Sequence, residues 1–363
     1  MDLPQFPPAA ARRPGVRHVA RLPLVALTTL TLLLTTGLTP AAATEGQWLN
    51  EGGPARSPEA MASDWFRGDN YQFVRGEDNQ IWWRYANGSW RVMPGDGRTH
   101  HRPDVTIIED QLGPHLVVFH TGDNGEVYYS ILGGAAGNIW SPWAQLGHVG
   151  TNRGISAVGY RDSAVLSTVV GDRIWVARMT MSNGRVTIGP HWSPQTQPRV
   201  FTAATYVHAP LITNDGVSVA HEVELMDAIV GRDRNVWISH TSPDNLTNAT
   251  YTAVPGNAQC ESVGLGRGGP EQPVTDRNNP AWRAQRNVTL GCISPNDHQL
   301  YLNRSTDGGY TWQGWNHSTG GPSPSDAAPA IEGAPGGEVF ASISWGNDTA
   351  PFSRHMVVNK RVL

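Results

Sequence analysis

A short apolar strand pattern, a polar turn and a second strand with an aromatic residue recur along this chain. The first copy runs from Phe73 to Tyr85, and the second runs from Val118 to Ser130. Apolar and polar residues alternate on either side of each turn, which is the period of a β-strand that buries one face. The aromatic residues at the equivalent place in successive copies are Trp82, Tyr128, Trp175, Trp237, Tyr301 and Phe340.

The spacing of these copies predicts the fold. Most successive aromatic residues lie about one propeller blade apart, since a blade of four strands takes about 40–50 residues. The longer gaps predict insertions, one of them near residues 257–291. Asn-Gly pairs such as Asn87-Gly88 predict further tight turns, so that each unit becomes a small meander.

A single twisted sheet of this kind cannot bury both of its faces, and radial packing of several sheets solves that problem. We therefore predict an all-β chain in which residues 65–363 form one β-propeller, six-bladed, with seven blades as the alternative.

The first 43 residues have the pattern of an export signal. Four arginines precede an apolar run from Leu22 to Leu38, and small residues follow as far as Ala43. This order is typical of a signal peptide, here residues 1–43, and a retained membrane anchor is the alternative. We expect a secreted protein with no membrane span after cleavage, in which residues 44–64 lead into the propeller.

Composition narrows the classes of partner. Charged residues make up 16% of the chain, whose formal net charge is −4 even with its basic leader included. Such a balance disfavours nucleic acid, which requires a basic face. The sequence contains no zinc-type spacing, calcium loop or nucleotide-binding glycine motif, so we expect neither metal ligands nor a cofactor.

Cys260 and Cys292 are the only cysteines in the chain. In an exported protein two cysteines most simply form one disulfide. A redox site would need more closely spaced cysteines or a reactive thiolate, and the sequence indicates neither, so we expect a structural disulfide.

One turn in the fifth copy has a longer motif, Ser-x-Asp-x-Gly-x-Thr-Trp, over residues 305–312. Its serine and aspartate side chains can bond backbone groups inside the turn, and its glycine permits a positive φ. The motif resembles the Asp-box of sialidases and related propellers, with Ser305, Asp307, Gly309 and Trp312 at the motif positions. The resemblance implies a structural hairpin on the outer rim, away from any active site.

The repeats also resemble those of bacterial propeller lectins of the fucose-binding kind. The stretch from Phe73 to Trp82 and the Trp-x-x-Trp pattern of Trp140 and Trp143 carry this resemblance. It implies a lectin-like protein that binds extracellular glycans or glycoproteins.

Aromatic rings stack on the apolar faces of sugars, while arginine and amide groups bond sugar hydroxyls. Alternation places Trp83 and Tyr85 on one face of a strand. Packing in the core is the alternative role for each aromatic residue. The predicted ligand-binding set is Arg75, Trp83, Tyr85 and Trp90.

Two further functions stay open. A sialidase-like glycoside hydrolase would need facing carboxylates, and the candidates are Glu109, Glu222, Glu224 and Asp227. The mature chain lacks the Arg-Ile-Pro type of tripeptide that sialidases carry, so the sequence favours a protein that is not an enzyme. The third hypothesis is a protein-binding scaffold without a small-molecule site, because fold alone does not decide function.

Overall fold

The chain folds into short antiparallel strands joined by tight turns. The computed structural model describes residues 49–50, 60–86, 88–133, 139–188, 191–199, 205–210, 223–267, 287–318, 328–333, 339–345 and 356–361. The predicted signal peptide, residues 1–43, lies outside the described residues, and its removal stays a prediction.

The described strands form six sheets, numbered here as blades in chain order. Before the first blade comes β1 (Leu49–Asn50). Blades 1 and 2 comprise β2 (Ala62–Phe66), β3 (Asp69–Arg75), β4 (Ile81–Tyr85) and β5 (Arg91–Val92), then β6 (Asp104–Asp110), β7 (Gly113–Thr121), β8 (Val127–Gly133), β9 (Ile139–Trp140) and β10 (Ala144–Gln145). Blade 3 comprises β11 (Ser156–Tyr160), β12 (Ser163–Val170), β13 (Arg173–Ser182), β14 (Arg185–Ile188) and β15 (Ser193–Arg199).

The second half of the chain repeats this plan. Blade 4 contains a short 3₁₀ helix at Leu246–Asn248 before its last strand. Its strands are β16 (Thr205–Pro210), β17 (Val223–Val230), β18 (Val236–Thr241) and β19 (Tyr251–Ala253). Blades 5 and 6 comprise β20 (Ser262–Arg267), β21 (Val288–Ile293), β22 (Leu300–Ser305) and β23 (Asn316–His317), then β24 (Ala330–Gly333), β25 (Val339–Trp345) and β26 (Met356–Arg361).

The first strands of the six blades form a closed ring. Each of β2, β6, β11, β16, β20 and β24 contacts the first strand of the next blade, and β24 contacts β2. Every blade is an antiparallel meander that runs outward from this ring. The fold is therefore an all-β propeller, as the repeat predicts.

Glycine at the ring allows neighbouring blades to approach closely. A Cβ atom added to Gly159 would lie 1.7 Å from the carbonyl oxygen of Ile107 on the first strand of blade 2. The same two strands are joined by side chains, because the amide of Gly159 donates to Thr106 Oγ1 at 2.7 Å and that of Ala157 donates to Asp104 Oδ2 at 2.8 Å. The hydrophobic core consists of separate layers between adjacent blades, such as the one in which Phe73 packs near Leu116.

The repeated aromatic residue occupies one register in five blades. Trp82 pairs with Val74 on the second strand and with Val92 on the fourth strand of its blade. The equivalent residues of the next four blades are Tyr128, Trp175, Trp237 and Tyr301, each paired with a residue of the second strand and one of the outer strand.

The sixth copy differs from the sequence-based alignment. Phe340 lies on β25, the second strand of blade 6, and pairs with Glu332 on the first strand. The predicted turn therefore joins the first and second strands rather than the second and third. Every turn of a meander has the same glycine-rich, strand-flanked pattern, so the pattern alone does not identify which turn it is.

The first and the last described strands pair with each other in blade 6. Strand β1 pairs with β26 through Leu49 with Asn359 and Asn50 with Val358, so a segment of the predicted lead-in, residues 44–64, completes the last sheet. This antiparallel pairing covers Val358 and Asn359 on the outer edge of β26, which would otherwise be open for pairing.

The cystine lies beside blades 4 and 5. Cys260 and Cys292 are joined by a disulfide with a Cα–Cα distance of 5.6 Å, as predicted, and both residues are buried. Cys260 lies between the two blades, and its amide donates to the carbonyl of Arg234 in blade 4. The predicted insertion near residues 257–291 overlaps β20 and the start of β21 at its two sides, and residues 268–286 between these strands lie outside the described residues.

Candidate functional site

The repeated aromatic residues are held by the turn that precedes them. Trp82 Nε1 donates to Asp78 Oδ1 at 3.2 Å, and Tyr301 Oη donates to Asp297 Oδ2 at 2.9 Å. Gly76 leaves room for the indole, because a Cβ atom there would lie 2.7 Å from Trp82 Nε1. Residues at this position therefore stabilise hairpins, which leaves the residues beside them as candidates for binding.

Trp83 and Tyr85 lie together on one face of β4. Their ring centroids are 6.0 Å apart with an angle of 24° between the planes, which confirms the prediction from alternation. Tyr71 stacks on both rings, at 6.3 Å from Trp83 and 5.5 Å from Tyr85. Trp140 of blade 2 packs edge-to-face with Trp83, with the ring centroids 5.3 Å apart. Trp83 is buried by these contacts, whereas Tyr85 is half-buried.

A cavity of about 170 Å³ opens beside this aromatic stack, where β4 turns into β5. Its described lining combines aromatic, cationic and hydroxyl-bearing side chains. The lining residues are Trp83, Arg84, Tyr85, Ala86, Gly88, Ser89 and Arg91. Sites for drug-sized ligands usually measure about 300–1,000 Å³, so this cavity has the size for one small ring rather than a long chain.

Two arginines hold different positions at this cavity. Arg84 donates from Nε to Gln72 Oε1 at 2.5 Å, and its guanidinium lies 4.5 Å from the centre of the Trp90 ring. Burial lowers the pKa of Arg84 because desolvation disfavours its charged form. Arg91 is exposed and pairs with Trp83 across the two strands. Sequence reasoning missed both arginines. The place of Arg91 depends on the pairing of the two-residue strand β5, whereas Arg84 lies on β4 between Trp83 and Tyr85.

The other two residues of the predicted ligand-binding set lie elsewhere. Trp90 packs with Met61, Val74 and Trp82 on the opposite side of the blade from Trp83. Its ring contacts the guanidinium of Arg84, and Trp90 is not one of the lining residues of the cavity. Arg75 lies at the far end of β3, where it pairs with Ile81 and donates to the carbonyl of His100 at 2.8 Å. The structure thus brings together two of the four predicted residues.

The candidate carboxylates are placed in different blades. Asp227 on β17 is buried, and the hydroxyl of Tyr251 lies within hydrogen-bonding distance both of its carboxylate and of Gln195 Oε1 in blade 3, at 3.0 Å, with one proton to donate to either acceptor. Glu109 on β6 of blade 2 is exposed. Glu222 and the side chain of Glu224 lie outside the described residues. Asp227 thus has a place in a buried network that joins blades 3 and 4.

The turn at residues 305–312 is closed by its own side chains. Ser305 Oγ accepts from the amide of Gly309 at 2.8 Å, and Asp307 Oδ1 accepts from the amide of Thr311 at 2.9 Å. Partial burial raises the pKa of Asp307, but hydrogen bonds from Thr311 and Ser305 outweigh it and hold that pKa below its usual value. Trp312 packs on the core between blades 4 and 5.

The described residues contain no cluster of three or more histidine, cysteine, aspartate or glutamate side chains suited to a metal ion. In the same part of the chain, no helix has both the length and the apolar character needed to cross a membrane.

The chain matches no protein-family model and no curated protein. Solved structures do resemble it. A lectin from Burkholderia pseudomallei is 14% identical, with a TM-score of 0.51, over 81% of this chain and 83% of that one. A mutant of AofleA from Arthrobotrys oligospora is 10% identical, with a TM-score of 0.54, over 83% of each chain.

A fucose-specific lectin from Aleuria aurantia gives a TM-score of 0.48 at 10% identity, over 79% of this chain and 87% of that one. At such low identity the two likenesses with TM-scores above 0.5 establish the propeller fold and nothing more, since one fold carries many functions.

Proposed function

We propose that this protein is a secreted, carbohydrate-binding β-propeller that binds a glycan in the cavity at the edge of blade 1. The single observation that carries the proposal is the cavity in which the Trp83–Tyr85 stack meets Arg84, Arg91 and Ser89. The resemblance of the repeats to propeller lectins, the lectin among the similar folds and the leader-like pattern of residues 1–43 support it.

The arrangement suits a sugar for chemical reasons. A sugar ring has an apolar C–H face and a rim of hydroxyls, so its site needs an aromatic surface beside polar groups. Tyr85 is half-buried and held by Tyr71 from behind, so its ring loses little freedom when a ligand binds. Ser89 and Arg91 are exposed at the rim, where they can bond hydroxyls.

Within this proposal, the turn from Ser305 to Trp312 is a structural Asp-box. Its hydrogen bonds are all used to close the turn, and Trp312 anchors it on the interblade core. Replacement of Asp307 should therefore lower stability without changing glycan affinity.

A glycan-array screen of the purified chain that starts at residue 44 tests the proposal. Tyr85→Ala removes the stacking surface and should weaken binding to the best glycan at least about tenfold, which corresponds to about 1.4 kcal/mol. Tyr85→Phe keeps the ring and is the matched control, with affinity expected within about threefold of the wild type.

Two results would count against the proposal. One is the absence of binding to any array glycan at millimolar concentration. The other is binding that Tyr85→Ala leaves unchanged, which would place the glycan elsewhere on the molecule.

A further inference from the structure

The Trp-x-x-Trp segment of blade 2, residues 140–143, has no role in the proposed function, because neither indole is among the described lining residues of the cavity. Trp140 on β9 is buried, and Trp143 is partly buried. Both nevertheless lie against blade 1, Trp140 against Trp83 and Trp143 against the loop that follows β5. Blade 2 therefore contacts the structure that supports the cavity at two points.

Trp140 contacts the buried member of the aromatic stack. The angle between its ring and that of Trp83 is 81°, and its ring centroid lies 5.7 Å from that of Phe73 at an angle of 83°. Edge-to-face pairs at such distances are favourable and depend on orientation, so they fix the angle of a ring as well as bury it. Trp83 in turn stacks on Tyr85, the half-buried ring at the cavity. The orientation of Tyr85 thus depends on Trp140 through one intervening ring.

Trp140 is itself held by the residue that follows it. The amide of Ser141 donates to the carbonyl of Ile131 at 2.9 Å, and Ser141 Oγ accepts from the amide of Ile131 at 3.0 Å. The carbonyl of Ser141 also accepts the hydroxyl of Ser130 at 2.8 Å. These hydrogen bonds attach the segment firmly to β8, although β9 has only two residues.

Trp143 attaches the other end of the segment to blade 1. A Cβ atom added to Gly97 would lie 2.6 Å from Trp143 Nε1, and one added to Gly95 would lie 3.1 Å from Trp143 Cδ1. The indole also packs edge to face on the buried His120, with the ring centroids 4.5 Å apart. Close packing on both blades leaves the segment little freedom to move.

We propose that Trp140 is a positioning residue of the glycan site, which holds Trp83 and, through it, the ring of Tyr85 at the angle that a sugar requires. The inference rests on the proposed function, since it concerns the same cavity. A ring that is already ordered in the free protein loses little freedom when the ligand binds, so less binding free energy is lost to ordering. The site is then built by two blades, although its described lining residues all belong to blade 1.

Calorimetric titration of the chain that starts at residue 44 with the tightest-binding array glycan tests this inference. Trp140→Met fills much of the space with a flexible apolar side chain but removes the ring, and it should weaken binding about fivefold. Trp140→Leu should have the same effect, and it replaces the methionine variant if that variant does not fold. Trp140→Phe restores an aromatic edge and should return the affinity to within about twofold of the wild type.

Trp315→Leu is the matched control in another interface. Trp315 packs on the core between blades 4 and 5, where a Cβ atom added to Gly256 would lie 3.0 Å from its Cδ1 atom. Its replacement should lower the melting temperature but keep the wild-type affinity. All titrations are made well below the lowest melting temperature of the set, so that folded proteins are compared.

Three outcomes would overturn the inference. The first is wild-type affinity in the variants of Trp140 that lack a ring. The second is a loss in Trp140→Phe as large as theirs, which would show that the indole only stabilises the fold. The third is an equal loss in Trp315→Leu. In each case, glycan binding that still depends on Tyr85 leaves the proposed function intact, whereas failure of every array glycan to bind contradicts the proposed function itself.

Discussion

The indole nitrogen of Trp237 donates a hydrogen bond to the carboxylate of Asp233 at 3.2 Å, across a turn in which the two residues are four positions apart. The same carboxylate oxygen accepts the amide of Asn235 at 3.1 Å. One aspartate thus closes the turn and fixes the aromatic residue that follows it. Trp82 and Asp78 repeat the relationship in blade 1 with the same 3.2 Å distance.

Replacement of Asp233 by alanine should lower the free energy of unfolding by about 1 kcal/mol. The group is largely exposed, so solvent screening reduces the worth of its hydrogen bonds to that of ordinary ones. Asp233→Asn keeps an acceptor oxygen, as Asn124 does in blade 2, and should lose less. Urea unfolding of both variants gives the comparison, and equal losses would contradict the role assigned to the acceptor.

Because His120 is buried, we expect the protein to lose stability in acid. Burial lowers its pKa to about 4, with partly opposing contributions from the Thr121 backbone and Asp123. Because the folded pKa lies below the unfolded value of about 6.5, the unfolded state binds more protons at lower pH. This group's contribution is therefore complete above about pH 6.5 and falls by roughly 3 kcal/mol as the pH drops to about 4.

His120→Phe should flatten that pH dependence, because an aromatic ring remains between Tyr128 and Trp143 without a titrating nitrogen. The exposed His317, replaced by glutamine, serves as the control and should leave the profile of the wild type. Denaturant unfolding at several pH values from 4 to 7 provides the measurement. An unchanged slope in His120→Phe would show that other groups cause the loss.

Replacement of Gly159 should lower the free energy of unfolding strongly, because this residue lies in the central ring of first strands. A Cβ atom there would meet the Ile107 carbonyl at 1.7 Å, and neither backbone can move without opening the contact between two blades. Gly159→Ala should therefore destabilise the fold by more than about 4 kcal/mol or prevent folding.

Gly171→Ala is the matched comparison at a tight turn with φ of +65°, where no atom lies within 4 Å of the added Cβ. It should lose only about 1–2 kcal/mol, the usual cost of a left-handed backbone with a side chain. Thermal melting of both variants tests the difference, and equal losses would contradict close packing at the ring.

The cystine predicts sensitivity to reductant. The 32-residue separation of Cys260 and Cys292 gives a stabilisation of about 3–4 kcal/mol in the chain-entropy account. Addition of a phosphine reductant should lower the melting temperature of the wild type. In oxidising buffer, the double variant Cys260→Ala/Cys292→Ala should have a lower melting temperature than the wild type, and the reductant should not change it. A change in the variant's melting temperature on addition of reductant would show that the reductant acts on something other than this disulfide.

The sequence predicts the propeller because each hairpin is locally encoded. Asp78 and Trp82 lie in one turn, four residues apart, and the same spacing recurs in Asp233 with Trp237 and in Asp297 with Tyr301. The pattern places Phe340 on the wrong strand, because every turn of a meander is glycine-rich and flanked by strands, so that the pattern does not identify which turn it marks. Pairing of Leu49 with Asn359 joins residues from opposite ends of the chain, and no local pattern encodes it.

The candidate site was partly predictable for the same reason. Alternation within β4 places Trp83 and Tyr85 on one face, and their stacking follows from it. Trp90 lies apart from Trp83 and Tyr85, because it packs against Met61 and Trp82. Tertiary packing rather than local sequence decides which side chains line the cavity. Arg91 is among the lining residues, whereas Arg75 is not.

A crystal structure of the chain with the tightest-binding array glycan tests the central claim most directly. The account predicts electron density for one sugar unit in the cavity of blade 1, with its apolar face on Tyr85 and a polar group within hydrogen-bond distance of Arg91. Density for the sugar at any other place, with this cavity free of ligand at saturating concentration, would contradict it.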